Sequence, residues 1–132
     1  YLPERDGILV DLLLCEMLVK TGKSVREFLK EIYSRYGEFH FRRRDFGVEP
    51  EKGLRQVKKL AENPPKELCG YKVVNVDSLD GTKLFLESGG WILFRQSGTE
   101  PVLRIYTEMP KVEELDEVIS QGMKALGQAG QK

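Results

Sequence analysis

Between two apolar runs, the stretch FRQSGTEPVLRIYTE (Phe94 to Glu108) sets Arg95, Gln96, Ser97, Gly98, Thr99, Glu100 and Pro101 in direct succession, with Arg104 close behind. Arg95 supplies a planar, permanently charged fork that matches phosphate oxygens. Ser97 and Thr99 add hydroxyl donors, and Gly98 lacks the side chain that would hold a ligand off the backbone. Successive backbone N–H groups in such a turn can form a concavity for an anion. The chemistry these residue types suit is the holding of a phosphate. Arg104 either turns back to the loop or pairs with Glu100 or Glu108. The plainer alternative for the whole stretch is a polar hairpin whose arginines and glutamates pair with each other.

Any anion bound by this chain must be gripped locally. Lys and Arg number 21 and Asp and Glu 21, so the 132 residues carry no net charge. The long-range attraction that drives binding to nucleic acid or to anionic membranes is therefore missing, and neither is expected as a partner. The least charged run near the start, Gly7 to Leu14 with Asp11 inside it, is too short to span a bilayer. No basic region with a cleavage site precedes it, which reads as a cytoplasmic protein. Cys15 and Cys69 lie far apart and the chain has 1 histidine. That gives neither metal-ligand spacing nor a disulfide framework, so two buried, reduced thiols and no metal site are expected.

The elements that must position the loop follow from periodicity. In DGILVDLLLCEMLVKTG, Ile8, Leu12, Cys15 and Leu18 or Val19 fall on one helical stripe that Thr21-Gly22 stops. In SVREFLKEIYSRYG, Ser24 and Glu27 have capping-box spacing, Val25, Phe28, Leu29 and Ile32 form an apolar face, and Gly37 ends the helix. EFHFRRRDF reads as an extended segment, and a further helix runs from Pro50 to Glu62 before two prolines. The period then changes. YKVVNVD, TKLFLE, WILFR and VLRIYTE read as strands, the middle pair a hairpin around Ser88-Gly89-Gly90, and Pro110 opens a last amphipathic helix. The expected fold is α+β: a helical hairpin followed by a small, mostly antiparallel four-stranded sheet packed against helices. The loop at Gln96 to Pro101 is then held rigidly at both ends by strands.

These residues carry a resemblance. RQSGTEPVLRIYTE closely resembles the phosphate-binding loop of the C-terminal domain in the phosphohexomutase superfamily of phosphoglucomutases and phosphomannomutases, whose pattern runs R-x-S-G-T-E-P-x-x-R. DGTKLFLESGGWILFR is similar to the hairpin before that loop. YLPERDGILVDLLLCEML is similar to the segment after the sugar-recognition loop of the third domain, so the resemblance covers essentially the whole chain. It implies that residues 1–37 are the C-terminal helices of the preceding sugar-binding domain, 38–47 a connector, and 48–132 the TBP-like C-terminal phosphate-binding domain.

The resemblance further implies a four-domain enzyme of the isomerase class that interconverts hexose 1-phosphate and hexose 6-phosphate, of glucose or mannose, through a bisphosphorylated sugar. Such an enzyme uses Mg²⁺ and a sugar bisphosphate activator. Its phosphoserine, metal site and catalytic residues have no counterpart in this sequence, so the chain is expected to be inactive alone and to work with upstream domains of its own chain. By the same carry-over, Arg95, Ser97, Gly98 and Thr99 hold the non-reacting phosphate and Gln96 contributes backbone, while Glu100 and Arg104 support the loop. Where many relatives have proline after the first arginine, this chain has Gln96. Two other readings stand beside this one: an amino-sugar phosphomutase, and a non-catalytic module of the same fold that binds an anion or a protein.

Other conspicuous residues have ordinary explanations. Arg42 to Arg44 read as a solvated edge strand and His40 as a strand residue. Trp91 is expected in the core with Ile92, Leu93 and Phe94, and Tyr33 and Tyr36 on a partly buried helix face. Arg5 either approaches the substrate or pairs with Glu4 or Asp6.

Overall fold

The computed structural model describes residues 6–127; Arg5 lies outside them. The chain divides into two compact units, the first running to Glu38 and the second beginning at Phe39.

The first unit holds α1 (Gly7–Thr21) and α2 (Val25–Tyr36). Asp6 caps α1 by accepting from the N–H of Leu9 at 3.0 Å. Gly22 ends it in the left-handed region at φ 67°, which costs glycine little. The capping box expected at α2 is present, with Ser24 and Glu27 each satisfying the other's backbone N–H, and Gly37 closes the helix. The backbone hydrogen bond from Ser24, above all, holds the Glu27 carboxyl below its usual value. Neither helix has a buried residue in this chain. Leu18 alone of the expected α1 stripe is half-buried, and Tyr33 and Tyr36 are exposed, not partly buried. Apolar residues run round α1 without favouring one side, the pattern of a helix covered on several sides.

In the second unit the sheet is larger than expected. It has six strands in the order β1-β6-β5-β4-β3-β2, from β1 (His40–Gly47), β2 (Glu67–Leu68), β3 (Tyr71–Asp77), β4 (Thr82–Leu86), β5 (Trp91–Gln96) and β6 (Val102–Met109), all antiparallel. β3 to β6 match the four strands read from alternation. β2 is too short to show a period. β1 falls in the extended segment read as a connector over residues 38–47, and it is the edge strand that Arg42 to Arg44 suggest, paired with β6 along its whole length from His40 opposite Met109 to Gly47 opposite Val102. Its arginines suit an edge strand that must not recruit another chain.

Helices α3 (Pro50–Glu62) and α4 (Leu115–Ala125) cover one face of the sheet. Proline at the first position and Glu49 as cap, accepting from the N–H groups of Glu51 and Lys52, fix the start of α3. A 3₁₀ turn at Val112–Glu114 stands between Pro110 and α4, so the last helix starts later than its proline suggests. The core lies between this face and the helices, with Leu84, Ile92, Phe94, Leu103 and Ile105 fully buried against Leu60, Leu115 and Val118.

The two cysteines differ from the expected pair of buried thiols. Cys15 is exposed and Cys69 is half-buried. Burial, then the charges of Glu117 and Glu114, push the Cys69 thiol up to about 11. Iodoacetamide at about pH 7.5 should therefore label Cys15 well before Cys69, because the thiolate is the nucleophile. Equal labelling of the two by peptide mass spectrometry would contradict this.

Candidate functional site

The loop between β5 and β6 is built from both of its strands. Alternation sends Ile92, Phe94, Leu103 and Ile105 into the core and leaves Trp91, Leu93, Arg95, Arg104, Tyr106 and Glu108 on the opposite face. Trp91 and Leu93 are thus half-buried on the open face, outside the core where the sequence reading put them. Trp91 Nε1–H donates to Glu108 at 3.1 Å, and Lys83 Nζ lies 3.9 Å from the Trp91 ring centre.

Register places Arg95 directly opposite Arg104, and Arg104 opposite Asp45. Two cations facing each other across neighbouring strands repel. Each has its own carboxylate. Arg104 Nη2 donates to Glu100 at 2.6 Å, the pairing that the sequence left open, and the Arg95 Nε lies 3.0 Å from Asp80 Oδ1. Asp80 was not anticipated as a partner, since it belongs to the turn between β3 and β4. The Arg104 Nε is buried and finds no partner among the described residues, whereas the Arg95 side chain is 47% exposed. Asp45 takes two hydrogen bonds from Arg43, chiefly responsible for holding its carboxyl below the usual value, so it faces Arg104 as an anion. Around Arg95 the charges balance, with Arg43, Arg95 and Arg104 matched by Asp45, Asp80 and Glu100, and the Arg95 side chain is the half-exposed cation at the turn.

The turn itself is stitched shut. Ser97 N–H donates to the Val102 carbonyl at 2.9 Å, Val102 N–H to the Glu100 carbonyl at 2.8 Å, and Val48 N–H to the Pro101 carbonyl at 2.9 Å. Ser97 is buried at 7% exposure, with its hydroxyl inside the turn 3.5 Å from the Thr99 N–H. Gly98, Thr99 and Glu100 are exposed. Among the described residues the N–H groups of Gly98 and Glu100 find no acceptor. A Cβ at Gly98 would meet nothing within 4 Å, so no packing among the described residues requires glycine there.

Gln96 does more than lend its backbone. Its Nε2 donates to the Val102 carbonyl at 3.1 Å and to those of Ser97 and Glu100 at 3.4 Å, lacing the turn across its mouth. Its Oε1 is buried against Gly53 of α3, where a Cβ would come within 1.9 Å. Hydrogen bonds thus supply the stiffness that a proline ring would give at this position. Gln96→Ala should cost about 1 kcal/mol, the net worth of a typical buried hydrogen bond, and speed amide exchange at Ser97 and Val102. Unchanged exchange at both amides would mean that the side chain does not hold the turn.

Among the described residues no group of three or more His, Cys, Asp or Glu side chains is placed to hold a metal ion, and no helix is long and apolar enough to cross a membrane.

Comparison with known proteins gives the family and the fold. A family model described as phosphoglucomutase/phosphomannomutase, C-terminal domain, matches residues 48–125. A phosphoglucomutase/phosphomannomutase of Thermococcus kodakarensis is 36% identical over 125 residues, covering 95% of this chain and 25% of the relative. A phosphoglucosamine mutase of Methanocaldococcus jannaschii is 32% identical over 132 residues, covering 94% of this chain and 26% of the relative. The chain thus spans about a quarter of the length of these curated relatives. Among solved structures, the open form of parafusin, a Paramecium exocytosis-sensitive phosphoprotein described as a phosphoglucomutase, shares the fold. Its TM-score is 0.65 at 22% identity, over 96% of this chain and 28% of that one.

Proposed function

Because the chain belongs to the phosphoglucomutase/phosphomannomutase C-terminal domain family, we propose that it is the phosphate-holding end of an enzyme that interconverts hexose 1-phosphates and hexose 6-phosphates. The observation that carries this reading is the turn after Arg95. It is locked by its own hydrogen bonds, offers N–H groups at Gly98 and Glu100 that have no acceptor among the described residues, and stands beside a half-exposed guanidinium. Oriented N–H donors and an arginine fork are what a phosphate dianion requires. Thr99, exposed at the tip, adds a hydroxyl, and Gly98 lets the anion reach the backbone.

Such a clamp acts on the phosphate that is not being transferred. Gripping a dianion away from the reacting carbon orients the sugar, so the binding energy is expressed in the rate as well as in affinity. Interactions confined to phosphate also suit a bisphosphate that must turn end for end between two half-reactions, since either end presents the same group. Since the clamp reads phosphate and no sugar hydroxyl, it serves glucose, mannose and glucosamine phosphates alike, and relatives named for each sugar type share the chain's similarity.

Full-length protein should turn over at least one of glucose 1-phosphate, mannose 1-phosphate and glucosamine 1-phosphate, whereas the 132-residue chain should turn over none. Turnover by the chain alone would overturn the reading, and so would a full-length protein inert toward all three. In the latter case the anion- or protein-binding module would be the better account.

A further inference from the structure

The ion pair between Asp80 and Arg95 has no place in the function proposed so far. Asp80 sits in the exposed β3–β4 turn, which is held from both sides. Asp77 Oδ1 accepts from the Leu79 N–H at 2.8 Å and shapes the turn's first half. Gly81 follows at φ +98°, seated so closely on β5 that a Cβ would lie 2.2 Å from the Phe94 carbonyl oxygen and 3.2 Å from the Arg95 Cα. Thr82, buried, donates its hydroxyl to the Val57 carbonyl at 2.8 Å and pins the far side. The Asp80 carboxylate is thereby held beside the Arg95 side chain, its Oδ1 3.0 Å from Nε, although it is 65% exposed.

We propose that Asp80 is a positioning residue for Arg95: it approaches the guanidinium from its Nε side and leaves the two terminal nitrogens to grip the phosphate. An unattended arginine has several rotamers, and fixing them on binding lowers affinity. Repulsion from Arg104 on β6 and attraction to Asp80 on the β4 side of β5 act in the same direction, so together they narrow the positions open to the Arg95 side chain. This inference rests on the proposed clamp, in which Arg95 holds phosphate.

The test is steady-state kinetics of full-length protein on whichever of the three sugar 1-phosphates it turns over. Asp80→Ala and Asp80→Asn should each lower kcat/KM about two- to fivefold, the range that an exposed ion pair supports. Asp80→Glu should recover part of the loss, because the charge is kept. The effect of Asp80→Ala should shrink as salt is raised. In an Arg95→Ala background Asp80→Ala should add nothing. A rise in kcat/KM for both Asp80→Ala and Asp80→Asn would show that the carboxylate only repels the phosphate, and would overturn the inference. No change in either, or an equal loss in the Arg95→Ala background, would overturn it as well. If Arg95→Ala alone behaves as wild type, the clamp reading falls and the inference with it.

Discussion

Arg95→Ala is expected to lower kcat/KM of the full-length protein for its hexose phosphate by about one to two decades. A hydrogen bond to a charged group contributes roughly 1.5–3 kcal/mol, and about 1.4 kcal/mol is a factor of ten. The alanine variant leaves the turn's N–H donors in place, so binding should weaken without vanishing. Arg95→Lys should recover only part of the loss, because an ammonium keeps the charge but lacks the planar fork. Forward and reverse reactions should suffer alike if, as proposed, one clamp meets both ends of a sugar bisphosphate. Folding should be little affected, as the side chain is half exposed and its ion pair with Asp80 is solvated. Kinetics indistinguishable from wild type would assign this arginine to the surface of a polar hairpin instead.

The second large effect is on stability. Phe94 precedes Arg95 on β5 and is wholly buried, with 0% of its surface exposed. Its ring packs under α4 at Gly122, where a Cβ would approach the ring and the Ile92 side chain to 2.7 Å. The helix can lie this close to the sheet only because that position has no side chain. Phe94→Ala should therefore cost about 3–5 kcal/mol, the range for losing a buried aromatic ring and leaving a cavity. In a unit of this size that corresponds to a drop in melting temperature of roughly 12 °C or more. Phe94→Leu, which keeps much of the volume, should lose less than about half as much. Urea unfolding followed by the fluorescence of Trp91, the chain's 1 tryptophan, reports directly on β5. A loss below about 1 kcal/mol for the alanine variant would show that α4 closes over the gap.

Both effects start from adjacent residues of one strand, Phe94 pointing into the core and Arg95 pointing out. That division follows from the two-residue period of a β-strand and was legible in the sequence. So were the bounds of α3 at Pro50 and Glu62, the capping box at Ser24 and Glu27, and the four strands from Tyr71 to Met109. Each depends on interactions within a few residues: a cap, a missing N–H, an alternation of apolar side chains. The succession of Arg95, Ser97, Gly98 and Thr99 was legible for the same reason, since a hairpin turn is a local object.

Only the tertiary structure decided what surrounds that turn. The Asp80–Arg95 pair depends on the β4–β5 register that sets Thr82 opposite Phe94, and no spacing in the chain announces it. Gln96 reads as a mere substitute for proline until α3 brings Gly53 against its side chain. Arg42 to Arg44 read as an edge strand from the sequence, as they are, but only the pairing of β1 with β6 shows that Asp45 faces Arg104. Alternation shows that a strand has two faces but not which one the helices will cover, and for that reason Trp91 and Leu93 were placed in the core. Residue types and local periods fixed the elements and the chemistry of the loop. Strand order and register, which join residues distant in the chain, set the charges and packing that hold Arg95 in place.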